Sequence, residues 1–452
     1  MFDKRRVVAQ DASIRTWMEE LAKVAAGPAE ADGPACPAGP ELIDQIRALE
    51  ELKAAASAAQ ARAAALVESA VRRSQADAGV QKEQLGKGIG AQIGFARRES
   101  PHRGTQLLGL ARILTKEMPK TLQALSGGFV SEWRATILVR ETACLTLADR
   151  QRIDDMLAGN PAELEALGDR QLIARIKGLA YGMDPASVVN RAAKAASERF
   201  VSCRPAPDTM TYLTGLLPVA QGVEVFATLA READRLRAAG DSRGRGQIMA
   251  DTLVERITGR SKAGDVRVEV QLVMTDQTLL AGAAEPAVLP GYGVIPAQFA
   301  RDLVRRKLEA SGSNDGSRNS GSSGNTATEV WLRRLFTAPS TGQLVDMDSK
   351  ARLVPAGLAR FIAARDQNCR MPWCGAPIRH FDHIKPWHVG GTTTANNVQG
   401  LCEACNHAKE APGWACSVSD GELGAAHTVE TVTPPGHRYR SAAPAPPGVR
   451  VA

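Results

Sequence analysis

The stretch "NCRMPWCGAPIRHFDHIKPWHVGGTTTANNVQGLCEACNHAKE", residues 368–410, decides how the C-terminal part of this chain is read. It holds four of the eight cysteines and four of the seven histidines. Cys369 and Cys374 are separated by four residues with Pro372 between them, and Cys402 and Cys405 form a CxxC. Two close pairs joined by a longer return segment suit a tetrahedral four-thiolate zinc site, each pair making one knuckle. Structural zinc contributes about 10–16 kcal/mol in small segments, enough to fold one whose apolar core is thin. Cys416 follows too late to join the knuckles, and Cys36, Cys144 and Cys203 are isolated, so these four read as free thiols.

Zinc accounts for the cysteines and leaves "RHFDHIKPW" (379–387) over. Neighbours in a strand face opposite sides, so Asp382 and His383 suit two jobs: one holds a metal, the other meets a water or substrate. A second polar ligand must come from elsewhere, and Asn406 follows the CxxC at once, on the first turn of the helix expected through "CEACNHAKEA". Of the remaining histidines here, His380 flanks the strand, His388 lies in a loop and His407 sits beside Asn406.

Working outward, 452 residues are too many for one ordinary core, and two or three domains are expected. Aromatics at 4% are scarce, leaving Ala, Leu and Val to build the core and favouring helices over sheets. The net charge of +7 suits a polyanionic partner, and residues 71–120 carry ten Lys or Arg against four Asp or Glu. No run of eighteen apolar residues occurs, and the first residues lack an apolar core of signal-peptide length; the expectation is a soluble, cytoplasmic protein without a membrane partner. In a reducing cytoplasm, clustered cysteines mean metal or catalysis more often than disulfides.

Six segments are expected. Residues 1–40 form an N-terminal segment, a short helix and a Pro/Gly/Ala break. A helix-rich domain follows over 41–310, opening with one long Ala-rich helix over 41–75. Within it, Val225, Leu229, Ala233 and Leu236 form one buried stripe closed by Gly240, and Ala250, Leu253, Val254 and Ile257 share another face. Val266, Val268, Val270, Leu272 and Met274 alternate as a half-buried strand. The stretch 88–114, "GIGAQIGFARRESPHRGTQLLGLARIL", carries a weak helix-turn-helix pattern whose plainer reading is packing inside the domain. In residues 311–325 thirteen of fifteen are Ser, Gly or Asn, a linker or loop spanning roughly 20 Å. A connecting hairpin over 326–354, a metal-bearing module over 355–420 and a Pro-rich, disordered tail over 421–452 complete the chain.

The quoted segment resembles an HNH endonuclease of the ββα-metal class, in the subgroup with two cysteine knuckles. Asp382-His383 matches the DH form of the first element, Asn397 the central asparagine, and Asn406 the residue after the second knuckle; the likeness covers about 355–415. It implies a mainly α protein with some β: a helix-rich N-terminal domain plus a small C-terminal ββα-metal domain with a zinc knuckle pair. It also implies that Asp382 and Asn406 bind a catalytic divalent ion, that His383 is the general base, and that Asn397 holds the loop that sets the histidine. In two respects the segment departs from some relatives. Glu410 stands where they carry a histidine ligand, and Asp382 replaces the first histidine, which suits a hard cation such as Mg. Three upstream stretches, "FVSEWRATILVRETACL" (129–145), "LPGYGVIPAQFAR" (289–301) and "LVDMDSKARLVPAGLARFIAARDQNCRMPWC" (344–374), resemble a widespread bacterial family in which a helical domain of unknown function precedes an HNH module.

The expected activity is hydrolysis of DNA phosphodiester bonds, with Arg370, Arg379, Lys385 and Lys409 as candidates to grip flanking phosphates and ordinary surface charge as their plainer reading. The alternative is a nucleic-acid-binding protein that keeps the zinc-stabilised scaffold without cutting. A purely structural zinc domain would leave Asp382, His383 and Asn406 without a task.

Overall fold

The structure is a computed structural model that describes residues 4–25, 39–260, 262, 272–289, 292–312, 348–349, 352–419 and 426–445. Helices dominate the first half because capping residues and prolines punctuate Ala- and Leu-rich runs. In chain order these are α1 (Lys4–Ala25), α2 (Gly39–Asp77), α3 (Ile89–Ala96), α4 (Pro101–Lys116), α5 (Pro119–Ser126), α6 (Glu132–Glu141), α7 (Leu147–Ala158), α8 (Pro161–Glu165), α9 (Asp169–Met183) and α10 (Pro185–Ser197). Ser100, Ser131 and Thr146 accept hydrogen bonds from the backbone N–H of Arg103, Arg134 and Asp149, fixing where α4, α6 and α7 begin. Pro101, Pro119, Pro161 and Pro185 occupy first-turn positions, where a missing N–H costs nothing.

The long helix expected over 41–75 is α2, and its buried positions Ala54, Ala58 and Ala64 are small, so α4 and α5 approach closely. The main core forms where α4 to α9 converge, around Leu114, Met118, Leu125, Ile137, Leu138, Ile153, Leu172 and Ile176. Asp154, 1% exposed, accepts from the N–H groups of Lys120 and Thr121 and from the Thr121 hydroxyl, and so caps α5 from another helix. The pattern at 88–114 is α3 and α4; α3 is buried over Ile89–Phe95 and α4 buries Leu107, Leu108, Leu110, Ala111 and Leu114, so both pack inside the helical domain, with His102, Thr105 and Gln106 of α4 left exposed.

Beyond α10 come a hairpin of β1 (Phe200–Ala206) and β2 (Met210–Leu216), then α11 (Val219–Ala238), α12 (Arg245–Thr258), α13 (Asp276–Leu280), β3 (Ala287–Leu289), β4 (Gly293–Ile295) and α14 (Ala297–Gly312). The two expected stripes hold only in part. Of the α11 set only Ala233 is buried and Val225 is 45% exposed; on α12 the buried residues are Ile248 and Thr252, and Ile257 is 69% exposed. These helices pair chiefly with each other, and a two-helix contact buries a narrower face than a core does. Of the alternating strand, 263–271 lie outside the described residues, and Val273 makes an antiparallel bridge to Val288.

The remaining elements are β5 (Asp348–Ser349), α15 (Ala356–Asp366), β6 (His380–His383), β7 (Thr393–Thr394), β8 (Val398–Leu401), α16 (Glu403–Lys409), β9 (Ala415–Ser419), β10 (Thr428–Val432) and β11 (Arg438–Ala442). The linker beyond Gly312 and most of the expected connecting hairpin, 326–347 with 350–351, lie outside the described residues; Asp348 and Ser349 pair with Thr394 and Thr393. The expectation of a disordered tail over 421–452 does not hold for residues 426–445. There β10 pairs with both β9 and β11 in a three-stranded antiparallel sheet, because "TVETV" alternates and buries Val429 and Thr431. No helix among the described residues is long and apolar enough to cross a membrane.

The helical domain and the C-terminal module share a core. Phe95 of α3, 1% exposed, packs with buried Cys369, Met371, Leu401 and Cys405. Its ring lies 5.8 Å from that of Trp373, 5.7 Å from Trp414 and 4.9 Å from Tyr439 of β11. Beside this cluster Gly88 adopts φ +80°, and a Cβ there would lie 2.5 Å from Trp414 Nε1 and 2.9 Å from Ala411 Cβ, so only glycine allows this approach.

Candidate active site and metal centre

Antiparallel pairing of β6 with β8 sets Asp382 opposite Gln399 and His383 opposite Val398, and α16 packs against β6, giving the strand–strand–helix order of a ββα unit. The knuckles flank it. Cys369 N–H donates to Ala376 O (2.8 Å) and Cys374 N–H to Met371 O (3.1 Å), while Cys402 is the N-cap of α16 and Cys405 lies one turn in. All four sulfurs fall within 4.8 Å of one another, with Cys374 Sγ 3.7 Å from Cys402 Sγ and 3.5 Å from Cys405 Sγ. A tetrahedral ion with Zn–S of about 2.3 Å needs sulfurs about 3.8 Å apart, so these residues fit a zinc ion. Crowding has the matching electrostatic signature. Hydrogen bonds from Cys369 and Cys405 pull the Cys374 thiol well below its usual range, whereas the bond to Cys374 pushes Cys369 up, and the bonds to Cys369 and Cys374 push Cys405 up. Four thiolates this close need a cation between them.

Opposite faces were expected for Asp382 and His383, yet both line one cavity of about 310 Å³, together with Arg352, Trp387, His388 and Glu410. His383 is the last residue of β6, and beyond it the backbone leaves the pleat. Its Nε2 lies 2.8 Å from Thr393 Oγ1 and its ring stands 5.8 Å from that of Trp387. Burial holds the imidazole below its usual range, against the pull of Asp382.

Asn397 closes the loop between the strands. Its Nδ2 donates to Lys385 O (3.1 Å) and Thr392 O (2.8 Å), and its Oδ1 accepts from Lys385 N–H (2.9 Å). A side chain at Gly391 would collide with Lys385 O, so the loop closes this tightly only around glycine.

On α16, Lys409 Nζ forms an ion pair with Asp382 Oδ2 and donates to His383 O at 2.6 Å. Asn406 lies three residues earlier on the same helix, on the face that Lys409 shares, and its Oδ1 is buried with no partner among the described residues. A buried oxygen without a partner, on the helix whose Lys409 holds Asp382, is a donor of the kind hard divalent cations take, although Asn406 does not line the cavity of Asp382 and His383. Glu410 is exposed, pairs with Lys409 at 3.4 Å and faces the cavity.

The four expected phosphate contacts divide. Arg379 and Lys385 are exposed beside the site. Lys409, 6% exposed, is committed to Asp382, and Arg370, 3% exposed, donates to the carbonyls of His427 and Ser441 and faces Asp366 at 3.8 Å. These two are interior residues and their reading as phosphate contacts is withdrawn: burial strips their hydration, so each is held by a carboxylate and carbonyls. Burial brings the Arg370 guanidinium down to about 10. His388 lines the cavity, His407 lies outside it, and His380 begins β6. Sequence reasoning missed Arg352 and Thr393, neither of which sits in a motif. It also missed the pair Arg365–Asp366, whose carboxylate accepts from Gly400 N–H (2.8 Å) and fixes β8.

The family model described as a domain of unknown function, DUF222, matches residues 46–308, and the model described as HNH endonuclease matches residues 367–411. No curated protein and no solved structure matches the chain.

Proposed function

The chain belongs to the DUF222 family and carries a C-terminal HNH endonuclease domain, and from that premise we propose that it is a divalent-metal-dependent endonuclease that hydrolyses DNA phosphodiester bonds in the cytoplasm. One observation carries the reading. His383 and Asp382 line a single cavity at the end of β6, with the loop between the strands tied by Asn397. Nε2 of His383 is engaged by the Thr393 hydroxyl, and with the proton on Nε2 the Nδ1 lone pair is left to take a proton from water. An imidazole kept neutral by burial is in the right state to act as a base near pH 7. Asp382 and Asn406 are the proposed ligands of the catalytic ion, Mg or another divalent metal, which when bound would supply Lewis-acid polarisation of the phosphate and stabilise the leaving oxyanion. Lys409 orients Asp382, Asn397 keeps the histidine loop in register, and exposed Arg379, Lys385 and Arg352 are the proposed contacts to flanking phosphates. The zinc held by Cys369, Cys374, Cys402 and Cys405 is structural.

The Lys409–Asp382 ion pair favours a second reading, since a resident ammonium competes with a metal for that carboxylate: binding of nucleic acid without cleavage. Conversion of supercoiled plasmid to open circles decides between them. The nuclease reading predicts nicking that requires added Mg or Mn. A protein that binds DNA yet nicks it with none of Mg, Mn, Ni and Co is the non-catalytic binder.

A further inference from the structure

A second cavity, about 800 Å³, opens beside the active site between the helical domain and the HNH helix. One wall is the turn before α3 and the exposed stripe of α4, with Lys87, His102, Thr105 and Arg112; the other is α16, with Ala404 and His407. Glu410 lines both this cleft and the cavity that holds Asp382 and His383, so the two adjoin at that residue. The relative placement of the walls is fixed by the shared Phe95 core and by the contact of Gly88 with Trp414.

Of the charged side chains that line the cleft, Lys87 and Arg112 are basic and Glu410 is acidic. Lys87 is exposed at its mouth, and His102 and His407 are exposed on facing helices. Arg112 shares one carboxylate, Glu68, with Arg72 (2.7 and 2.9 Å), so this triad carries a net positive charge. The segment that supplies this wall, residues 71–120, holds ten basic residues against four acidic ones. Such a surface attracts a polyanion, and a backbone of evenly spaced phosphates leaving the active site has this cleft in its path.

Resting on the nuclease reading above, we infer that the cleft between α4 and α16 carries the DNA backbone on from the scissile phosphate, making the helical domain one wall of the substrate groove. The helical domain thereby supplies affinity and register while the HNH module supplies the chemistry.

The test uses the full chain and a fluorescein-labelled DNA duplex without added divalent metal, read by anisotropy over a salt series. Lys87→Glu should weaken binding about tenfold and lower the slope of log affinity against log salt by about one, with His102→Glu adding to the loss. Arg175→Glu/Lys177→Glu, on an exposed part of α9 that lines neither cavity, should stay within about twofold of wild type. A Lys87→Glu protein that binds like this control overturns the inference. Photo-cross-linking of wild type to iodouracil-substituted DNA gives a readout independent of how the variants fold: adducts within 84–112 support the groove, and adducts confined to 367–411 overturn it. Wild type that binds through the cleft but never nicks would sink the nuclease reading and leave the groove standing. A wild type that binds no DNA sinks both.

Discussion

Replacing Asp366 by Asn removes one negative charge from the interior of the HNH module and leaves its shape almost unchanged. The carboxylate is fully buried, with Arg365 on one side (Nε–Oδ1 2.7 Å, Nη2–Oδ2 3.2 Å) and Arg370 Nε 3.8 Å away on the other. The two guanidinium side chains are 7% and 2% exposed. Removing one partner of a buried ion pair costs about 3–5 kcal/mol, since the remaining charge stays desolvated without compensation. Here two cations would be left facing each other, and Gly400 N–H would lose its charged acceptor. With a urea dependence of about 2 kcal/mol per molar, the midpoint followed by the fluorescence of Trp373, Trp387 and Trp414 should fall by about 1.5–2.5 M. Arg370→Met should recover part of the loss in the Asp366→Asn background, because one stranded charge is then gone. An Asp366→Asn midpoint equal to wild type would mean that the site is more hydrated than its burial implies and that the two arginines do not depend on this charge.

Three further outcomes are expected. Elemental analysis should find one tightly held zinc per chain in wild type and none in Cys402→Ser or Cys405→Ser; an intact fold without zinc would contradict the metal centre. Gly88→Ala should loosen the contact between α3 and Trp414 by about 1–3 kcal/mol, through backbone strain at φ +80° and overlap with the indole, read as faster proteolysis between the helical domain and the HNH module; unchanged protection would contradict it. His427 donates from Nε2 to Asn396 O at 2.8 Å, and burial, aided by Arg365, brings its pKa down to about 4. Because the unfolded chain takes up that proton first, the imidazole contributes its full stability above about pH 6.5 and loses it as the pH falls toward about 4, on the order of 3 kcal/mol in all. Urea midpoints should decline across that window in wild type and decline less in His427→Gln; equal slopes would remove His427 as the cause.

The readable parts of this chain were those encoded over short distances. Cysteine spacing located the four-sulfur cluster, the DH pair and Asn397 located the cavity wall and the loop tie, and Ala-rich periodicity gave α2 within two residues at each end. Pairings between distant segments were not readable. Arg370 looks like a surface arginine until the strands ending the chain supply His427 O and Ser441 O, and Lys409 looks like a phosphate contact until β6 brings Asp382 to it. The Pro-rich flanks around 434–448 masked the short alternation of "TVETV", which pays off only once β9 and β11 lie alongside. Phe95 gave no hint that a helix of the DUF222 domain would complete the apolar jacket of the zinc knuckles, because that contact joins residues from opposite ends of the chain.

The most direct test of the central claim measures plasmid nicking and DNA affinity together for wild type, His383→Ala and Asp382→Ala, each with Mg and with excess Mn. His383→Ala should cut about 100- to 10,000-fold more slowly, bind DNA as wild type does, and gain nothing from Mn. Asp382→Ala should lose cleavage and recover part of it with Mn, as expected of a metal ligand. Cleavage by His383→Ala at the wild-type rate would contradict the account and assign any nuclease activity to other residues.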